Sequence, residues 1–384
     1  MNLSKALPCL AAACALTALL LPPPALGQIV PERRRDYEQR PPNEYLLIPA
    51  LASLPGTGVF VGVISSASNL GNTGIDAAVA GARSIDNTDI DIQAVALQNI
   101  PLGQRMLTLD YQRAHLRMGN GSMYLPGRNS PNYTIPVTAE GDFQMLRPVL
   151  RLWERRIMVS YALSYFEGFS LDANGNEVPL GNNRASGEVS LDFTDDVTNP
   201  THGIRFRYRA TLEAPGDTLL GRNKAAPTGA AFSGSTRPES YTLAGYVPLD
   251  KRFTLALSAL YSQANGNPSG GSGFGGGSPP LRGYPSGRWS DQYGVFFGSE
   301  LRYTIPVQYD LDAYIARGRV EAIQYAAFYE VGQVNPDNGP RLFEAMRQSY
   351  GGGVRALFAA IVLRLDLGFS EEGPQMHLTI DQAF

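Results

Sequence analysis

The 384-residue sequence predicts an all-β fold, a transmembrane antiparallel β-barrel of about sixteen strands over residues 45–384 with no separate periplasmic domain. Three observations predict it. Short segments alternate apolar and polar residues between turn signals, which is the period of a strand with two different faces. The alternation continues to the end of the chain, where MHLTIDQAF sets Met376, Leu378, Ile380 and Phe384 on one side and His377, Thr379 and Asp381 on the other. Chain termini are ordinarily loose, so a closing strand of this kind must be paired and must cover its apolar side, which in a barrel meets lipid.

The third observation is the spacing. Period-two reading gives strands at 45–52, 58–65, 75–82, 91–97, 105–113, 143–151, 156–166, 187–194, 203–213, 239–247, 252–262, 291–303, 321–331, 350–358, 361–369 and 376–384. Odd-numbered connections include the long ones (114–142, 167–186, 214–238, 263–290, 332–349), and even-numbered ones are mostly short, as at 152–155 and 248–251. Long loops then gather at one rim and short turns at the other, as a barrel with both termini on one side requires. Residues 304–320 break this rule.

The strands also say which face is inside. In 203–213, Ile204, Phe206, Tyr208, Ala210 and Leu212 share one side, and Arg205, Arg207, Arg209, Thr211 and Glu213 share the other. An arginine on the lipid face costs about 2–4 kcal/mol at the bilayer midplane, so three there exclude that orientation and place them in the lumen. Glu188, Ser190 and Asp192 alternate against Val189, Leu191 and Phe193 on the preceding strand, so acid beside base predicts a luminal charge ladder. Tyr161, Tyr165, Tyr261 and Tyr303, near strand ends on the apolar side, fit aromatic girdles. Alternation by itself also fits a soluble sandwich whose polar face meets water.

The N-terminus reads as an export signal. Lys5 precedes an uncharged run from Ala6 to Leu21, three prolines, and the small-x-small site Ala25, Leu26, Gly27, so residues 1–27 are expected to be a cleaved signal peptide. Both cysteines, Cys9 and Cys14, lie inside it, and the mature chain is expected to have neither disulfide nor cysteine metal site. Without those residues, 31 Lys and Arg stand against 35 Asp and Glu, a net charge of −4 that argues against a nucleic-acid partner. The only histidines, His115, His202 and His377, have no nucleophile at a suggestive spacing. No enzymatic activity and no cofactor are expected, and no residue is assigned a catalytic, cofactor-binding or metal-ligating role.

The C-terminal third carries a resemblance. LRGYPSGRWSDQYGVFFGSELRYTIP (Leu281 to Pro306), AAFYEVG (Ala326 to Gly332), VLRLDLGF (Val362 to Phe369) and the terminal MHLTIDQAF, with DFTDDVTNPTHGIRF (Asp192 to Phe206), resemble the BamA/TamA-type outer-membrane barrels, also called bacterial surface antigens. That superfamily includes the two-partner-secretion transporters. The resemblance implies a sixteen-stranded barrel in the bacterial outer membrane that assists insertion or translocation of polypeptides. It also implies that the loop before strand twelve folds into the lumen, where its arginine meets an acid of an F-x-D-x-G motif on strand thirteen. Residue by residue, Leu281, Arg282, Gly283 and Tyr284 stand at the loop motif, and Phe328, Glu330 and Gly332 at the strand motif, with Glu in place of the usual Asp.

The residues themselves agree with a luminal lock. Glu330 falls on the face opposite Ile323, Tyr325 and Tyr329, and a guanidinium inside a barrel needs a carboxylate. Asp366, beside Arg364 on strand fifteen, is a second candidate partner, and the Gly-rich run 269–280 supplies slack. Family members that handle clients carry POTRA domains at the N-terminus; here residues 28–44 form only a short, polar, periplasmic tail, so client handling implies a separate periplasmic module. Pro49 sits in the first strand, which is expected to pair with the sixteenth. A proline removes a ladder donor, so either a weak seam opens there toward lipid or the strand starts after it. Two functions follow: a barrel that assists insertion or translocation of client polypeptides, and a passive pore or structural surface barrel. The partners expected are outer-membrane lipid and, for the first function, clients and that module.

Overall fold

The computed structural model describes residues 43–383 except 55–57, 86–88, 104–105, 125–126, 131–133, 172–174, 212–215, 224–236, 266–271, 275–280, 286, 359–360 and 381. The expected signal peptide, the tail as far as residue 42, and Phe384 lie outside the described residues.

One antiparallel sheet of sixteen strands runs in strict sequence order. The strands are β1 (Glu44–Leu54), β2 (Gly58–Ser68), β3 (Asp76–Ser84), β4 (Ile90–Pro101), β5 (Leu107–Tyr124), β6 (Thr134–Leu152), β7 (Ile157–Leu171) and β8 (Glu177–Asp192). They continue as β9 (Gly203–Thr211), β10 (Arg237–Pro248), β11 (Phe253–Asn265), β12 (Tyr293–Ala313), β13 (Ala316–Asn335), β14 (Arg347–Phe358), β15 (Ile361–Ser370) and β16 (Gly373–Ile380). Two short strands, Ser272–Phe274 and Trp289–Asp291, pair within the β11–β12 loop.

Several strands overshoot the expected bounds. β5 and β6 have 18 and 19 residues, and β12 and β13 have 21 and 20, against the nine to eleven or so that cross a bilayer. Where a ladder continues beyond the apolar zone, both faces are polar or small, as in Gly119, Asn120, Gly121 and Ser122, and alternation no longer marks the strand.

The wall is inverted relative to a soluble core. Leu243, Leu257, Leu301, Tyr325, Val354 and Leu365 are exposed on the outside, whereas Glu300, Arg302, Glu330, Arg355, Arg364 and Asp366 are buried inside. Tyr208, Tyr241 and Tyr261 line up on the outer face with centroids 4.8 and 6.1 Å apart. Tyr165 departs from its expected place at a lipid-facing girdle: residues 221–222 cover it, and its hydroxyl donates to the Arg222 carbonyl at 3.2 Å.

Closure differs from the expected pairing of first and last strands. β1 pairs with β2 from Glu44↔Ser68 to Leu54↔Gly58, and its second ladder among the described residues is with the base of β13, at Tyr45↔Arg317 and Leu46↔Ala316. The hydrogen-bonded ring therefore closes on the thirteenth strand, and β14 to β16 extend the sheet past that point. Residues 304–320, which break the loop rule, are the ends of β12 and β13 running beyond the rim as one hairpin. Alternation fixes faces and not partners, so it cannot foresee this. The period of two also stops early: β16 ends at Ile380, and Gln382, which the alternation assigns to the outer face, turns into the lumen to meet Arg355 and Gln324.

Candidate functional site

The β11–β12 loop folds inward because its apolar residues have partners there. Leu281, Tyr284 and Trp289 bury themselves against Phe296 of β12 and Val334 of β13. Tyr284 and Trp289 meet edge to face at 5.8 Å. That anchor carries Arg282 against the luminal wall.

Arg282 is fully buried and meets three carboxylates. Its backbone N–H donates to Glu330 Oε2 at 2.7 Å and its Nε to Glu330 Oε1 at 2.6 Å. Its Nη1 reaches Glu300 Oε2 and Asp366 Oδ2, each at 2.9 Å. The guanidinium also lies 3.5 Å from the Phe328 ring centroid, a cation–π contact out of water. The extra methylene of Glu330 is used: one carboxylate oxygen serves the backbone and the other the side chain.

Gly283 allows the close approach. A Cβ there would fall 2.4 Å from the Phe369 carbonyl oxygen, and one on Gly368 would fall 2.3 Å from the Arg282 carbonyl. With no side chain in the way, the Gly283 N–H donates to Ser349 Oγ at 2.6 Å and its carbonyl accepts from Ser370 Oγ at 2.6 Å. Tyr284 reaches Glu371 through its hydroxyl at 3.4 Å.

Around this lock is a shell of charge in which Glu300, Arg302 and Arg355 join the Arg364 expected beside Asp366. Glu300 accepts from Arg302 Nε at 2.7 Å and from both terminal nitrogens of Arg355; Arg364 Nε lies 3.0 Å from Asp366 Oδ2. Three carboxylates thus stand among four arginines, each charge with at least one opposite partner, as burial requires. His377 Nε2 lies 2.8 Å from the Arg282 carbonyl, which gives this histidine a contact with the loop. The signal was available: Glu300 and Arg302 alternate against Leu301 and Tyr303, and Arg355 lies directly opposite Arg364. Alternation names the luminal residues but not which of them an incoming loop touches.

The charge ladder lies on another part of the wall. Asp192, Ser190 and Glu188 stand opposite Arg205, Arg207 and Arg209. Arg209 Nη2 lies 2.6 Å from Glu188 Oε2, Arg207 Nε 3.4 Å from Glu188 Oε1, and Arg205 Nε 3.2 Å from Asp192 Oδ2. The ladder's ion pairs join β8 to β9, whereas those of the lock join the loop to β12, β13 and β15. Leu378 is exposed on the outer face and Ile380 stands opposite Leu363. Pro49 stands opposite Val63 within β1, so the strand does not begin after it.

The β8–β9 turn reaches the same wall from the short-turn rim. Asp195 accepts from the N–H groups of Thr201 and His202 at 2.9 and 3.0 Å and from the Thr201 hydroxyl at 2.5 Å. Partial burial opposes its charged form, but these bonds outweigh that and hold the carboxyl below the usual aspartate value. The turn projects Asn199, whose Oδ1 accepts from Gln324 at 3.1 Å and Gln382 at 3.3 Å, residues on β13 and beyond β16.

At the long-loop rim, Arg288 lies between Trp289 (3.7 Å to the centroid) and Glu372 (2.7 Å), and donates to the Ser130 carbonyl at 3.0 Å. Among the described residues no group of three or more His, Cys, Asp or Glu is arranged to hold a metal ion.

The fold and its enclosed ionic interior define an outer-membrane-type β-barrel. No family model and no curated protein matches the sequence. Solved structures match in fold: CdiB from Escherichia coli (TM-score 0.54, 14% identity) over 88% of this chain and 61% of that one. CdiB from Acinetobacter baumannii gives a TM-score of 0.53 at 12% identity, over 88% of this chain and 59% of its own. BamA from Haemophilus ducreyi lacking POTRA domains 1–3 gives 0.51 at 12% identity, over 88% and 68%. The chain thus spans about three fifths of the CdiB chains, and its fold is similar to theirs.

Proposed function

We propose that this chain is a bacterial outer-membrane barrel that assists insertion or translocation of polypeptides, with the Arg282 loop as its internal lock and no enzymatic step. In this reading the exposed apolar belt meets outer-membrane lipid, the long loops face the exterior, and the short turns face the periplasm. Clients arrive with the help of a separate periplasmic module. The observation that carries the reading is the lock: Arg282, with carboxylates from β12, β13 and β15 around it, fills with paired charge a wall that a standing pore leaves to water. The fold similarity to BamA and CdiB supports it.

A second reading, a passive barrel, draws on a different observation. On the inner face of β9, Arg207 and Arg209 pair with Glu188 and still keep 29% and 44% of their side-chain surface exposed, as residues lining a water-filled space do. Two assays on one protein separate the readings. Depletion is expected to lower the amount of correctly assembled outer-membrane or secreted polypeptide, and the purified barrel in planar bilayers is expected to show no steady open state. Normal assembly together with a steady open conductance would eliminate the insertion reading.

A further inference from the structure

We infer that the hairpin formed by residues 306–322 is a strap that latches the base of β1, supplying the ladder that the last strand, among the described residues, does not form with it. This concerns how the barrel closes and holds whichever of the two functions is correct.

The strap is bent by design of its backbone. β12 and β13 pair regularly from Tyr293↔Asn335 to Pro306↔Ala322, then shift register and resume at Tyr309↔Val320. On the other side of β13 the register with β14 shifts at the same level, between Val320↔Phe358 and Ala322↔Leu357. Gln308 has φ 53, in the left-handed region. Two bulges at one height bend the ribbon and re-aim it. Below Phe358 the ribbon has left β14 behind and runs to β1.

The contact with β1 is specific. The Leu47 N–H donates to the Ile315 carbonyl at 2.8 Å, and the Tyr45 hydroxyl to the Ala313 carbonyl at 3.1 Å. Leu46, Leu311 and Val320 pack around buried Ala316 and Phe358, which joins β1, the strap and the end of β14 in one small core. Gly318, at φ 153, permits the fit: a Cβ there would stand 2.8 Å from the Phe358 ring. Asp312–Arg317 and Asp310–Arg319, each at 3.0 Å, bridge the strap's two strands.

Above the strap the edge changes character. N–H groups alternate sides along a strand, so Pro49, two residues beyond Leu47, faces the same side and has no N–H to donate. Among the described residues β1 forms no ladder with β16, which ends at Ile380 before Gln382 turns inward. The base of the seam is therefore latched by the strap, and the part above it is not laddered.

A disulfide tests this. The Leu47 N–H to Ile315 carbonyl bond flanks Leu46 and Ala316, which makes them a non-hydrogen-bonded pair, with Cα atoms about 4.5 Å apart and within disulfide reach. Cys9 and Cys14 are the only native cysteines. Leu46→Cys with Ala316→Cys is expected to cross-link in the majority of folded barrels, read as a reductant-sensitive shift of the unfolded chain on a gel. Leu46→Cys with Leu378→Cys or Thr379→Cys is expected to remain reduced. Should the first pair disturb folding, Tyr45→Cys with Arg317→Cys reports the same register from the opposite face of the strands. Cross-linking of the first strand to β16 in place of residue 316 or 317, or to neither in a folded barrel, overturns the strap.

Discussion

At the scale of single residues, Arg282 is the group on which most others depend. Removing it leaves Glu330, Glu300 and Asp366 without their shared cation, and breaking a buried pair costs about 3–5 kcal/mol. Arg282→Ala and Glu330→Ala are each expected to undock the loop, and the double variant to add little to either, a non-additivity that marks groups acting on one another. Trypsin mapping reads this directly, because Arg282 and Arg288 resist cleavage only while the loop is docked. Fully additive losses would show that the two do not interact. Asp195 supplies a pH test outside the membrane-spanning strands. Its folded-state value is depressed, so its contribution is complete above the ordinary aspartate value of 3.8 and is lost as pH falls through the lower folded value. Hydrogen exchange in the 193–202 turn is expected to accelerate as pH drops below about 4, after correction for intrinsic rates, and Asp195→Asn to flatten that dependence. Equal pH dependence in both proteins would remove Asp195 from the account. Arg282 and Glu330 were legible in the sequence because a motif and the alternation agreed on them. Glu300, Arg355 and His377 were not, because their role depends on where a distant loop lands.

At the scale of elements, close backbone contact decides whether the loop can dock. Gly283→Ala places a methyl 2.4 Å from the Phe369 carbonyl, an atom of the ladder that cannot move aside cheaply. Undocking by about 1–3 kcal/mol is expected, with the strands intact, as overpacking of a fitted contact gives. Increased trypsin cleavage at Arg282 and Arg288 with unchanged β circular dichroism is the expected result; a loop as resistant as the native one would show that the approach is looser than described. The strands themselves were largely readable: sixteen segments were expected, and sixteen pair in sequence order. Their ends were not. β5 and β6 outrun the alternation because a bulge at Gly119 and Asn120 interrupts the period, and Gly121 and Ser122 beyond it carry no large apolar side chain. The β12–β13 hairpin was hidden for a related reason, since a bulge at residues 307–308 shifts the period in mid-strand.

At the scale of the whole molecule, the distribution of polarity defines the fold. Large apolar residues such as Leu243, Tyr325 and Leu365 are on the outside, and four arginines, Arg282, Arg302, Arg355 and Arg364, are almost inaccessible within. Alternation read face by face revealed this inversion, because three arginines in β9 fix the inner side. It left closure undetermined, since a period of two says nothing about which edge meets which. With the loop docked, the purified barrel is expected to conduct little in planar bilayers, and Arg282→Ala to open more often and more widely; identical traces from both would detach the loop from permeation. The most direct measurement is site-resolved hydrogen exchange of the intact barrel in nanodiscs. The Arg282 and Gly283 amides, bonded to Glu330 and Ser349, are predicted to be protected like those of β13, although they follow a glycine-rich loop. Exchange at these two amides as fast as in free loop would contradict a lock inside the barrel.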